Sequence, residues 1–317
     1  MRKIDPKNKI CVYLDQFVVS DLIDESTELW KEIKSLLESC HRENILYCPL
    51  SVQHFLETAK KELEAARGHH EYFLKLSDQY FFKNELFLTT QLISSLIRNN
   101  RHTVKTFLEI PEFKSFDEIY AKTNEVNAVF DESVSYKLSP QNDLRKILNP
   151  KIAQKQEPLF LNAIKSIETQ NFIKRLEDYL IQKRIYIRPD NYGRHNFPHW
   201  IDQLLYILTN THAFKEVQFR QLLAELKTHG FDRIPPLDIR FSLGAFLTVK
   251  NKQENTGDHM DIMRIANSLC SSDILFTDKK RKHEIQSLGL DTKYNTLVFS
   301  GVEKDLLEFK SYLLAMV

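Results

Sequence analysis

Residues 10–22 of the chain read "ICVYLDQFVVSDL". An apolar run over 10–14 meets Asp15 and Gln16, and the apolar pattern then resumes. Such a run is the pattern of a strand in a buried sheet, and the resumed pattern after it is the first turn of a helix. Asp15 therefore stands where the chain emerges from the core. An aspartate there has an ordinary use, since its carboxylate can cap the free N–H groups of Gln16 to Val18. A functional use requires other carboxylates to reach the same sheet edge from elsewhere in the chain.

On the C-terminal side of this stretch, the helical pattern covers 16–40, with Leu29, Ile33, Leu36 and Leu37 on one face. "NILYCPLS" supplies a second short strand over 45–48, ended by Pro49. Ser51 is placed to cap the next helix, "SVQHFLETAKKELEAARGHH", which carries Glu57 near its second turn and fades at Gly68. Strand–helix–strand–helix is the opening of an α/β domain. From about 72 to 227 the helical period dominates, as in "ELFLTTQLISSLIRNN" and "WIDQLLYILTNTHAF", with no alternating strand. Polar or Pro-containing joints fall near 111–118, 139–158 and 188–199.

The α/β pattern returns late. "IPPLDIRFSLGAFLTVK" and "DHMDIMRIANSLC" read as helices and "DILFT" as a buried strand ending at Asp278. "KKRKHEIQSLG" starts a basic helix, "NTLVFS" is a last strand, and "GVEKDLLEFKSYLLAMV" is a closing helix. The expected division is 1–68 and 235–317 as two parts of one α/β unit, with 69–234 a helical insertion of ordinary domain size.

Composition bounds the partners. The 317 residues are 42% hydrophobic and 27% charged, a soluble, globular balance, and the net charge of +1 gives no global field for a polyanion. Only 7 Gly against 21 Phe and 12 Tyr argue for long helices and few tight turns. Cys11, Cys40, Cys48 and Cys270 form no CxxC pair and read as reduced core thiols. "MRKIDPKNKI" lacks the apolar segment of a signal peptide, and no run approaches a bilayer span, so a cytoplasmic protein without a membrane partner is expected.

"DILFTD" can now be set beside "CVYLD". Each is an apolar strand that ends in Asp and leads into a helix. In an open parallel sheet, ligands gather beyond the carboxyl ends of the strands, so Asp15 and Asp278 are expected on the edge where sites form. Glu57 adds an acid from the helix after the second strand. Asp258 and Asp261, three apart, share one face of a helix start. Acids converging on one edge repel one another unless a cation sits among them, and Mg²⁺ or Mn²⁺ answers that need through oxygen ligands.

At these residues the sequence resembles the PIN-domain nucleases. The matching residues are Asp15 in "YLDQF", Glu57 in "QHFLET", and Asp261 and Asp278 in "HMDIMRIANSLCSSDILFTD". The segment from "IPPLDIRFSLGAF" through "GDHMDIMRIANSLCSSDILFTDKK" looks most like a bacterial PIN-like group in which the D–x–x–D pair and a strand-leading Asp such as Asp273 recur. The resemblance implies a PIN-like three-layer sandwich with a parallel central sheet, interrupted by the helical middle, which it leaves unexplained. It implies a Mg²⁺- or Mn²⁺-dependent endonuclease, with RNA favoured as substrate, leaving 5′-phosphate and 3′-hydroxyl ends. Asp15, Asp261 and Asp278 would bind metal, with Asp258 the competing ligand to Asp261. Glu57 would hold a second metal or orient the attacking water. Toxin or phage-defence roles are common in such families. Asp278 is followed by Lys279, where the family pattern carries a second acid.

Other features have readings of their own. Lys279, Lys280 and Arg281 follow Asp278 directly and are candidates for substrate phosphates, against the ordinary reading of a solvated helix start. "IRNNRH" (97–102) and "IYIRPDNYGRH" (185–195) suit single-stranded nucleic acid by charge and stacking, or are polar joints. His195 and His199 flank Pro198, which disfavours a regular zinc-binding helix. No GxxxxGK[ST], GxGxxG or GxSxG is present. Two rivals share the pattern: a DNA nuclease of the same chemistry, and an inactive PIN-like scaffold whose helical middle docks a partner protein.

Overall fold

A computed structural model describes residues 6, 8–110, 116–117, 120–121, 123, 134, 138, 142–143, 145–146, 155–183 and 199–316. The chain is mixed α/β and mostly helical. It divides into two compact units: Met1–Lys83 with Thr103–Asn127 and Asn267–Val317, and Asn84–His102 with Ala128–Ala266. Residues 69–83 thus stay with the two ends of the chain, and 235–266 go with the helical middle.

In the first unit, β1 (Ile10–Tyr13), β2 (Leu46–Tyr47), β5 (Ile274–Phe276) and β6 (Leu297–Phe299) form a parallel sheet in the order β2–β1–β5–β6. Two further short strands, β3 (Phe81–Phe82) and β4 (Leu108–Glu109), pair antiparallel. They lie in the stretch expected to hold no strand; at two residues each they are too short to show a period.

Helices α1 (Gln16–Asp24) and α2 (Glu28–Arg42) follow β1. The single helix expected over 16–40 is broken because Glu25 turns left-handed (φ 47°) and Thr27 Oγ1 caps the new helix at the Trp30 N–H. After β2 come α3 (Val52–Thr58) and α4 (Leu63–Ser77), again two helices where one was expected. Gly68 lies inside α4 with open space about it, so it costs helix propensity without ending the helix.

One sheet face carries Val12, Leu14, Ile274, Phe276 and Phe299. They share a core with Trp30, Ile33 and Leu37 of α2 and with Leu306, Phe309 and Leu313 of the last helix, α14 (Glu303–Leu314). The opposite face is buried too, with Tyr13 stacked on His54. Burial on both faces is why these strands read as continuous apolar runs. All four cysteines are free and buried.

The second unit packs α5 (Glu85–Ile97) with α7 (Glu157–Gln182), α8 (Trp200–Asn210), α9 (Glu216–His229) and α10 (Pro235–Val249) around Phe172, Leu176, Leu204 and Leu222. A short helix, α6 (Val104–Phe107), precedes β4 in the first unit. Buried acids in the helical unit meet cations, Asp238 with Lys165 at 2.5 Å and Glu85 with Arg240 at 3.2 Å. Helix α11 (Thr256–Ser268) begins in the second unit and ends in the first. Between β5 and β6 lie α12 (Lys279–Ser287) and α13 (Leu290–Tyr294). No helix among the described residues is long and apolar enough to cross a membrane.

Candidate functional site

From β1 the chain winds outward to β2, and from β5 it winds the opposite way to β6. The boundary between β1 and β5 is therefore the point where the direction of winding reverses. In doubly wound sheets that reversal leaves a crevice beyond the carboxyl ends of the two strands. Val12 pairs with Ile274 and Tyr13 with Leu275. Continuing that register sets Asp15 opposite Thr277, with Asp278 one residue beyond, on strands about 4.8 Å apart.

The two junctions have the same backbone conformation: Asp15 has φ −68°, ψ 159° and Asp278 has φ −66°, ψ 160°. Both aspartates are N-caps, and they differ in grip. Asp278 Oδ1 accepts from Lys280 N at 2.7 Å and Arg281 N at 3.0 Å, the usual capping pattern. Asp15 Oδ1 accepts from its own neighbour, Gln16 N, at 2.6 Å. Asp15 is buried and Asp278 half-buried.

Helix α3 is pinned to the same edge on both sides of Glu57. His54 Nδ1 accepts the Ser51 N–H at 2.9 Å, so Nε2 carries the proton and donates to the Leu14 carbonyl at 2.8 Å. Four residues on, Thr58 Oγ1 accepts from Gln16 Nε2 at 3.1 Å. The neighbours of Asp15, Leu14 and Gln16, thus each hold α3, and Glu57 lies half-buried between the two anchoring residues.

Gln16 Nε2 also reaches His69 Nδ1 at 3.1 Å. Burial, with the charge of Lys61 adding to it, pushes the His69 pKa down to about 4, so this imidazole is neutral and its Nδ1 can accept. Gln16 Oε1 is buried and has no hydrogen-bond partner. An unsatisfied buried acceptor costs about 1–3 kcal/mol. The reversed amide would bury two unsatisfied N–H donors instead of one acceptor, so this orientation is the cheaper.

The other expected site residues have structural partners within their own units. Asp258 and Asp261 sit in the part of α11 that belongs to the second unit. Asp258 closes a capping box: its Oδ2 accepts the Asn255 N–H at 3.2 Å, and Asn255 Oδ1 accepts the Asp258 N–H at 2.8 Å. Asp261 is ion-paired with Arg264. Asp273 leads β5 at the opposite sheet edge, where its Oδ2 accepts the Cys11 N–H at 2.9 Å.

Of the basic run, Lys279 and Lys280 are exposed. Arg281 is wholly buried and paired with equally buried Glu284, so it does not face a substrate. Lys282 is held by Asp305 at 2.7 Å. Burial alone would raise the Asp305 pKa, but Lys282 and Ser300 outweigh it and hold the carboxyl below its ordinary range.

In "IRNNRH", Asn99 is left-handed at the exit of α5, and Arg98 lies 5.2 Å over the Phe214 ring, so Arg98 packs within its own unit. His199 caps α8 through the Ile201 N–H. His195 and the stretch 185–195 lie outside the described residues.

Among the described residues, no three His, Cys, Asp or Glu side chains form a group able to hold a metal ion. The strand reversal carries two carboxylates, Asp15 and Asp278, at junctions of one backbone conformation. Mg²⁺ is commonly held by one or two carboxylates with water completing its octahedron, so this set fits such an ion. Compared with known proteins, the chain matches no family model, no curated protein and no solved structure at a significant level.

Proposed function

We propose that the chain is a PIN-like, Mg²⁺- or Mn²⁺-dependent endonuclease that hydrolyses phosphodiester bonds, with RNA the favoured substrate. The observation that carries this reading is that Asp15 and Asp278 leave adjacent parallel strands, one residue out of register, in one backbone conformation at the reversal of winding. Hard divalent cations, when bound, supply an activated hydroxide and stabilise the oxygens entering and leaving phosphorus. The chain's own part is to present the two carboxylates, to hold Glu57 beside them through His54 and Thr58, and to offer Lys279 and Lys280 to substrate phosphates. Asp261, paired with Arg264 in the other unit, is not needed for the reading.

The test is incubation of the purified chain with end-labelled single-stranded RNA and single-stranded DNA, in Mn²⁺ and in EDTA. Cleavage of RNA in Mn²⁺ alone is expected. Cleavage of DNA only would move the chain to a deoxyribonuclease of the same chemistry. Equal cleavage in EDTA, or none of either polymer, would overturn the reading and leave the two aspartates as helix caps on a scaffold.

A further inference from the structure

Lys282 stands four residues after Asp278, and its backbone N–H closes the first turn of α12 on the Asp278 carbonyl at 2.9 Å. On a helix, an acid followed by a lysine at this spacing is set to form an ion pair, the more so with the acid nearer the amino end. Here the pair does not form. The Lys282 ammonium is drawn instead to Asp305 of α14, whose Oδ1 it meets at 2.7 Å. Asp305 is itself fixed, because its Oδ2 accepts from the Ser300 N–H at 2.8 Å and from the Ser300 hydroxyl. Ser300 follows β6 directly. Continuing the Phe276–Phe299 register sets it opposite Thr277, the residue before Asp278. The acid that takes the lysine is therefore anchored at the same sheet edge, one strand over.

We infer that Asp305 is a positioning residue that holds Lys282 away from Asp278, so that the lysine does not neutralise a carboxylate needed for the proposed cation. This rests on the cation-dependent reading above and specifies how that site keeps its negative charge beside a basic run. A lysine paired with Asp278 would put a positive charge within a few ångströms of the ion and repel it. The diversion is stable for two reasons. The Lys282 and Asp305 side chains are 17% and 8% exposed, so their attraction is screened less than that of a pair on the open surface. The two Ser300 donors also orient the carboxylate, so little freedom is lost when the lysine docks. Arg281, its chain neighbour, is matched in the same way by Glu284.

The experiment is Mn²⁺ titration by calorimetry on the parent, Asp305→Asn, Lys282→Met and the double variant, with melting in EDTA reporting the fold of each. Asp305→Asn keeps an oxygen for Ser300 but releases the lysine to Asp278, and is expected to weaken Mn²⁺ binding about 10- to 100-fold, as a unit charge brought that close would. Lys282→Met is expected to bind at least as tightly as the parent. The double variant, with no lysine left to release, is expected to regain the parent affinity without regaining any lost melting temperature. A brace alone would weaken binding in Lys282→Met as in Asp305→Asn and give no recovery in the double variant, which would overturn the inference. Parent affinity in Asp305→Asn would overturn it too. Should Asp305→Asn fail to fold, Lys282→Met decides, and weaker binding there overturns it. No Mn²⁺ binding by the parent would remove the cation-dependent reading itself, and this inference with it.

Discussion

The two edges of the four-stranded sheet place the same residue type in different company. At the amino edge, Asp78 takes Lys9 Nζ at 2.6 Å and His41 Nε2 at 2.9 Å, and Asp273 takes a backbone N–H of β1. At the carboxyl edge, Asp15 and Asp278 are gripped through the N–H groups of the helices they begin. Burial alone would raise the Asp78 pKa, but Lys9 and His41 outweigh it and hold that carboxyl below its usual range. An acid met by cations is spent on the fold. An acid met by a helix start is stabilised by the N–H groups and positive end of that helix. What faces the carboxylate separates the two cases.

The largest effect expected is on activity. Asp15→Asn and Asp278→Asn each retain a capping oxygen, so the melting temperature should hold while Mn²⁺-dependent cleavage falls by on the order of 100-fold or more. Asp78→Asn, at the other edge, should cleave as the parent does. Cleavage assays on the three variants would erase the distinction between the edges if Asp78→Asn falls as far as the others.

A stability effect comes next. Asp78→Asn keeps a residue tolerant of the left-handed backbone at that position (φ 51°) but leaves Lys9, whose side chain is 9% exposed, without its counter-charge. A loss of about 2 kcal/mol is expected, between the values for exposed and buried pairs, read from urea midpoints. The carboxyl's folded pKa lies below its unfolded value. Its contribution is therefore complete above about pH 4 and disappears as pH falls through the folded pKa. Parent and variant should converge in stability under acid. A gap that persists there would mean the Asp78 charge is not its source.

The smallest effect concerns the basic run. If Lys280 meets a substrate phosphate, Lys280→Gln should reduce the salt slope of RNA binding by about 0.7. Arg281→Gln should instead destabilise the fold, because it strands the buried Glu284. Binding isotherms across a salt series, with melting curves beside them, separate the two neighbours.

How much of this could be read beforehand varied with the physics of each element. Strands β1, β5 and β6 were legible because burial on both faces writes a continuous apolar run, and each strand–Asp junction marks its own end. Strands β3 and β4 have no period to read. The break between α3 and α4 is hidden by "AKKE", whose residues are good helix formers. Thr27, three residues before Trp30, was an available sign of the break after α1. Arg281 was misplaced because a run of cations suggests solvent, while Glu284, three residues on, was the overlooked signal of a buried pair. Asn255 and Asp258 at capping-box spacing likewise disclosed a structural use for Asp258. Gln16 left no trace, since an orphaned atom exists only once the fold has closed around it.

The pairing of β1 with β5 also has a consequence during synthesis. Cys11 and Asp273, joined across these strands, are 262 residues apart. At ribosomal speeds of about 5–20 residues per second, roughly 13 to 50 s pass between the emergence of one strand and that of its neighbour. Throughout that interval Asp15 has been made and Asp278 has not, so a nascent chain carries half of the carboxylate pair and an unclosed strand edge. On the proposed reading, which needs both carboxylates, the reactive edge is incomplete until the strand that leads to Asp278 has been made.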